Sequence, residues 1–244
     1  NINYEGIKSS EMLDGLKKNI ILKSRSSFNE ILLEKDRESI KNFLKNKGYY
    51  FSEIEILIDE LKDNKINLTY NISLGEKAKI RKITFLGNKI FKDKKLKSII
   101  LSEEHKPWKF LSGKKYLNEA LINYDERLLK NYYLNKGYYN VVINSSFAKM
   151  TDKESFELIF NIEANSKLFF GNLNIDLPSD FSKSNYEEVE KFFKKLENEP
   201  YSINRIEDIV EKIETLTINE QYESIKADIK ENIINDKINI NFKI

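Results

Sequence analysis

The segment Asn46-Lys47-Gly48-Tyr49-Tyr50 recurs letter for letter at Asn135-Lys136-Gly137-Tyr138-Tyr139, and a fivefold identity constrains this chain more than its composition does. Upstream of each copy stand an Asp at one offset, Asp36 and Asp125, and an aromatic at one helical turn, Phe43 and Tyr132. A spacing of about 80 to 90 residues is domain-sized and longer than a solenoid unit. The chain therefore reads as tandem beads with separate cores, 1–78, 79–167 and 168–244. Short junctions fall near Glu76 to Lys79 and Ser166 to Leu168, and an extended arrangement with some hinge freedom is expected.

Within each bead the periodicity changes from helical to extended. Leu117, Ala120, Leu121, Tyr124, Leu128 and Tyr132 follow the i, i+3, i+4, i+7 rule and predict a second helix with that stripe inward. Gly48 and Gly137 stand where a helix end takes positive φ. In the third copy Ile206, Ile209, Val210, Ile213 and Leu216 give the stripe, and the stop falls at Asn219 to Tyr222 without a glycine. Shorter first helices read from Leu13, Leu16 and Ile20, from Leu96, Ile99 and Ile100, and from Val189, Phe192, Phe193 and Leu196. Ser184 with Glu187 predicts a capping box on the last of these. Strict alternation follows each helix pair, as in Ile66, Leu68, Tyr70, Ile72 and Leu74, in Phe156, Leu158, Phe160 and Ile162, and in Ile238, Ile240, Phe242 and Ile244. Partner strands carry Ile54, Ile56 and Ile58, then Val141 and Ile143, then Ile225, Ala227 and Ile229. Each copy opens with a short strand ending near Gly6, Gly87 or Gly171. The fold class is α+β: three β-α-α-β-β domains, each a three-stranded sheet covered on one face by two helices.

This order, with Ile83-Thr84-Phe85-Leu86-Gly87-Asn88 opening a unit, Gly137-Tyr138 closing its second helix and Gly75-Glu76-Lys77 at the junction, resembles a POTRA domain. The loop Pro107-Trp108-Lys109-Phe110, followed by Tyr116 and Asp125, resembles the third POTRA of BamA-type outer-membrane assembly proteins. The copies would then be the second, third and fourth of an array, each a mixed sheet. The resemblance implies structural roles for Gly48, Tyr49, Gly87, Asn88, Gly137, Tyr138 and Gly171. It also implies a fragment of a larger protein, flanked by further POTRA domains and a C-terminal membrane β-barrel. Such an array lies at the periplasmic face of the outer membrane of a Gram-negative bacterium. There it receives unfolded outer-membrane protein precursors and docks assembly lipoproteins, with no cofactor, nucleotide or catalytic group.

The residues exclude several other classes. Cysteine is absent and His105 is the single histidine, so thiolate and His-rich metal sites are ruled out. No nucleophile, base and orienting group recur at a workable spacing, so no catalytic residue is assigned. Gly113-Lys114-Lys115 lacks the glycine spacing and the hydroxyl of a phosphate loop. The formal net charge of +2 with 33% charged residues predicts a balanced surface and no nucleic-acid partner. His105, beside Glu103, Glu104 and Lys106, reads as a solvated side chain. Lys92, Lys94, Lys95, Lys97, Lys106, Lys109, Lys114 and Lys115 read as a solvated face. Asp36 and Asp125 read as helix-surface or capping residues. Trp108 and Phe110 form either a contact loop or a lid on their own core.

The candidate binding element is an edge strand, because an open sheet leaves backbone N–H and C=O groups that recruit an extended peptide. In the middle copy it is read as residues 139–147, with Tyr139, Val141, Ile143, Asn144, Ser145 and Phe147 as partner-binding residues. Alternatives are the POTRA array of a related translocation or secretion transporter, or a basic adaptor for anionic headgroups or nucleic acid.

Overall fold

Alternation of Leu68, Tyr70 and Ile72, all buried, with Thr69, Asn71 and Ser73 makes residues 65–73 the central strand of a sheet with one apolar face. The computed structural model describes residues 1–63, 65–88, 90–108, 112–149, 155–219 and 227–244. In the first repeat β1 (Ile2–Glu5) is followed by α1 (Ser10–Lys18), α2 (Glu30–Asn46), β2 (Glu53–Leu61) and β3 (Lys65–Ser73). The second repeat runs β4 (Lys79–Asn88), α3 (Asp93–Lys97), α4 (Glu119–Leu134), β5 (Val142–Lys149) and β6 (Ser155–Glu163). The third runs β7 (Phe169–Asp176), α5 (Glu187–Leu196), α6 (Ile203–Asn219), β8 (Asp228–Ile234) and β9 (Lys237–Lys243).

Each repeat forms a three-stranded sheet in which the last strand lies in the middle, in the orders β1-β3-β2, β4-β6-β5 and β7-β9-β8. In the first, β1 runs parallel to β3 with Ile2 opposite Leu68, and β2 runs antiparallel with Ile54 opposite Ile72. The third repeats this, with Phe170 opposite Ile238 and Ile229 opposite Phe242. The expected α+β class is what the chain adopts: three tandem mixed sheets with helices. The described residues group into two compact units, Asn1–Thr84 with Ile100–Asp125 and Ser145–Phe160, and Phe85–Ile99 with Glu126–Asn144 and Asn161–Ile244. The second repeat contributes to both.

In the first unit, Leu16, Leu33, Ile40 and Leu44 of the helices pack on Leu68, Tyr70 and Ile72. In the second, Val189, Phe193, Ile206, Ile209 and Ile213 pack with Phe170, Ile238, Ile240 and Phe242. Burial of that apolar area is the main stabilising term of each core.

Three local readings need correction. The buried line of α4 is Ile122, Asp125, Leu129 and Tyr133, whereas Ala120 and Tyr124 are exposed and Leu121, Leu128 and Tyr132 are half-buried. The line is rotated by one residue because a carboxylate occupies a core position, which an apolar pattern cannot register. The capping box of Ser184 and Glu187 is absent. A 3-10 turn over Lys183–Tyr186 precedes α5, Tyr186 stands at the N-cap position without capping the helix by its side chain, and Ser184 Oγ lies 2.8 Å from Ser182 Oγ. The buried Tyr186 ring, whose hydroxyl lies 3.1 Å from Thr217 Oγ1, anchors the helix entry in place of a cap. In the third copy the outer strand begins at Asp228, beyond Ala227, and the Ile225 reading and the stop after Asn219 lie outside the described residues.

Candidate functional site: edge strand, clamped loops and the tyrosine tail

The edge strand starts later than its sequence suggests. β5 spans Val142–Lys149, so Tyr139 and Val141 precede it. Val141 is buried, and the Tyr139 ring meets Tyr201 edge-on at a centroid distance of 5.0 Å. The Tyr139 hydroxyl donates to Glu231 Oε2, and this bond, with burial second, pushes the phenol up to about 12. Neither residue is available to an incoming strand. Along β5 the exposed side holds Val142, Asn144 and Ser146, and Ile143 and Ser145 are half-buried. Phe147 meets the Tyr50 ring edge-on at 5.1 Å and Phe156 at 5.9 Å, and it stays 36% exposed.

The outer strands differ in charge. β2 carries Glu53, Glu55, Asp59 and Glu60, and β8 carries Asp228, Lys230 and Glu231, whereas β5 has one charge, Lys149 at its end. Edge strands that resist pairing commonly carry charge along their length, and β5 has none before its last residue. The opposite edges are partly occupied. His105 N–H donates to Ile80 O at 2.6 Å on β4, and Asn198 N–H donates to Phe170 O at 2.9 Å on β7. Isolated bridges join Lys79 to Tyr116 and Phe169 to Pro200. The interhelix loop of each of these repeats therefore lies along the first strand.

Asp36 and Asp125 are neither surface nor capping residues, because both are fully buried. Asp36 accepts from Ile21 N–H at 2.6 Å and Leu22 N–H at 3.0 Å, and Tyr70 Oη donates to it at 3.3 Å. Asp125 accepts from Leu101 N–H at 2.6 Å and Ser102 N–H at 3.0 Å. Each carboxylate thus holds the loop after the first helix, satisfying amides that burial would otherwise orphan. Burial, followed by the Asp36 charge, drives the Tyr70 hydroxyl above the usual phenol range. At the same helical position the third repeat has buried Ile209, and its loop amides Asn198 and Tyr201 donate instead to backbone carbonyls of Phe170 and Leu168. The matched offset of the two aspartates was the available signal for this role.

The glycines of the repeated pentapeptide have φ of 91° at Gly48 and 93° at Gly137. Gly48 N–H donates to Lys45 O and Tyr49 N–H to Leu44 O, and Gly137 N–H to Leu134 O and Tyr138 N–H to Tyr133 O, the paired bonds of a Schellman end. Gly87 and Gly171 are places of close approach, where a Cβ would lie 2.5 Å from Ile162 O and 2.3 Å from Asn239 Oδ1. Tyr49 packs with the first core, and Tyr138 meets Phe91 and Tyr133 edge-on. Asn88 ends β4.

His105 is half-buried, and its Nδ1 lacks a hydrogen-bond partner. Burial, then Lys115, Arg81 and Lys79, hold its pKa below the ordinary value. The solvated reading fails there, as it does at Lys115, which is buried. Trp108 is 72% exposed with Lys106 Nζ over its ring at 5.8 Å, so it is not a lid. Phe110 and Lys109 lie outside the described residues. Among the described residues no cluster of three metal-ligating side chains occurs, and no helix is long and apolar enough to cross a membrane.

A family model described as POTRA, surface antigen variable number repeat, matches residues 1–75 and 78–165, more than half of the chain. The outer membrane protein assembly factor BamA of Buchnera aphidicola subsp. Acyrthosiphon pisum is 28% identical over 246 residues, covering 98% of this chain and 39% of that protein. BamA of Neisseria meningitidis serogroup B is 24% identical over 179 residues, covering 72% of this chain and 22% of its own length. The chain thus spans about two-fifths or less of these curated relatives. The crystal structure of Haemophilus influenzae BamA POTRA3-5 shares the fold with a TM-score of 0.56 and 18% identity, covering 100% of this chain and 94% of that one. Two repeats match the model and the third has the same strand order, and on these grounds the chain belongs to the POTRA family.

Proposed function

We propose that this chain is a periplasmic binding and scaffolding array of an outer-membrane β-barrel assembly protein, and that β5 takes up client segments by β-augmentation. The reading divides the chain into domains 1–78, 79–167 and 168–244, the second to fourth of a longer array. The whole protein carries a membrane β-barrel at its C-terminal side, in the outer membrane of a Gram-negative bacterium. Its partners are unfolded barrel precursors and assembly lipoproteins. One observation carries the binding site: β5 is an outer strand whose exposed side, Val142, Asn144 and Ser146, is uncharged, while β2 and β8 carry acids and the β4 and β7 edges meet their own loops. Backbone pairing asks little of client sequence, which suits clients that share alternating strands and no motif. Single contacts of this kind are weak and gain strength when several repeats act together. Exposed Trp108 supplies a second contact point of the same repeat.

The test is photocrosslinking from residues 142 to 148, one site at a time, with an unfolded outer-membrane barrel protein. Crosslinks should concentrate at Asn144 and Ser146 and should be absent from the exposed α4 positions Lys130 and Asn131. Crosslinks from the helix alone would overturn the edge assignment.

A further inference from the structure

The doubled pentapeptide is not absorbed by edge binding, yet each copy contacts the segment that follows it at corresponding places, the first asparagine through its backbone carbonyl and the second through its side chain. The glycine carbonyl receives the amide just before the first strand of the next sheet: Ala78 N–H donates to Gly48 O at 2.9 Å, and Leu168 N–H to Gly137 O at 2.8 Å. The asparagine meets the residue that starts the next repeat's long helix. Asn118 Nδ2 donates to Asn46 O at 2.6 Å while Asn118 Oδ1 caps α4 through Leu121 N–H at 2.9 Å. Asn135 Oδ1 accepts from Ser202 Oγ at 2.7 Å and from Asn204 N–H at 2.9 Å at the start of α6.

The second tyrosine reaches furthest. Tyr50 Oη donates to Glu119 Oε1 at 2.8 Å and its ring faces Phe147 and Phe156. Tyr139 donates to Glu231, and with Leu134 it packs against the third core. In both cases an aromatic ring enters the next repeat and its hydroxyl finds a carboxylate there. A phenol is suited to this task, because its body is apolar and its tip needs one partner. The third repeat carries Asn219-Glu220-Gln221-Tyr222-Glu223 at this place, without the glycine and the paired tyrosines.

We propose that Asn-Lys-Gly-Tyr-Tyr is a self-recognition surface: a tail whose partner is the segment that opens the next repeat, made of a helix N-cap, the amide just before the first strand and a carboxylate that receives the tyrosine hydroxyl. The glycine and the second tyrosine make corresponding contacts with the next repeat in both copies, through Gly48 O and Gly137 O and through the Tyr50 and Tyr139 hydroxyls. A helix cap alone requires the glycine, and a core requires only apolar character. The pattern couples neighbouring repeats through backbone and side chain together, so the start of each long helix is held by the end of the one before.

The experiment is hydrogen exchange of single amides in the 244-residue chain, comparing Tyr139→Ala, Tyr139→Phe and Asn135→Ala with the parent. Tyr139→Ala should speed exchange at Leu168 and Asn204 roughly threefold to tenfold, the loss expected of one aromatic pair. Leu129 and Tyr133, inside the second repeat, should hold their protection. Tyr139→Phe should give a smaller change confined to the same amides. Unchanged exchange at Leu168 in Tyr139→Ala would overturn the proposal. Equal acceleration at Leu129 would do so too, since Tyr139 would then serve its own repeat. If Tyr139→Ala does not fold, Asn135→Ala decides by the same comparison at Leu168 and Leu129.

Discussion

Replacing Asp125 by Ala removes the acceptor of two amides at once, Leu101 N–H at 2.6 Å and Ser102 N–H at 3.0 Å, from a site where the carboxylate is fully buried. A donor left unsatisfied in the interior costs about 1 to 3 kcal/mol, so two donors, one of them only part-buried, put Asp125→Ala at about 2 to 5 kcal/mol. For a chain of this length that corresponds to a midpoint shift of roughly 5 to 15 °C. Asp125→Asn should cost less, because one carbonyl oxygen remains, while its amide group opposes the second donor. Asp36→Ala should cost at least as much as Asp125→Ala, since Tyr70 Oη also loses its partner. Native-state amide exchange separates this effect from global loss, with Leu101 and Ser102 deprotected first in the Asp125 variants. A change below about 0.5 kcal/mol in Asp125→Ala, with both amides still protected, would show that water replaces the carboxylate freely and would refute the clamp.

Gly137→Val should destabilise the chain by about 1 kcal/mol or more, because φ is 93° and a Cβ would lie 2.9 Å from Lys167 Cγ and 3.0 Å from Leu168 O. Gly48→Val shares the torsional strain, but its nearest neighbour is Tyr116 Cβ at 3.3 Å, so thermal melting should rank it the milder of the two, and a reversed order would reject the steric reasoning. For His105 the folded pKa is depressed by burial and three cations, so the unfolded chain binds the proton more readily. Its contribution is present above the unfolded value of about 6.5 and is lost as pH falls through that value toward the folded one. Denaturation midpoints from pH 7.5 to 5 should fall less steeply in His105→Gln than in the parent, and an NMR titration of the ring should give a midpoint below 6.5.

The repeat, the β-α-α-β-β order and the turn glycines were legible because they rest on local physics. A period of two in Leu68, Tyr70 and Ile72 and a positive φ at Gly48 and Gly137 are properties of a few neighbouring residues. The phase of α4 was not legible, because Asp125 looks polar in any pattern and becomes a core residue only when Leu101 and Ser102 bring their amides to it. The start of β5 was hidden for a like reason: Tyr139 and Val141 alternate as a strand would, but the ring of Tyr139 is drawn out by Tyr201 and Glu231, 62 and 92 positions along the chain. Trp108, His105 and Lys115 share one polar loop in sequence, and only packing leaves the first exposed and buries the last. Sequence alone determined that one domain is written three times and in what order its helices and strands follow. The tertiary structure decided which strands lie at the sheet edges and which residues of the repeated tail touch the next repeat, because those depend on groups that meet only when distant segments are packed together.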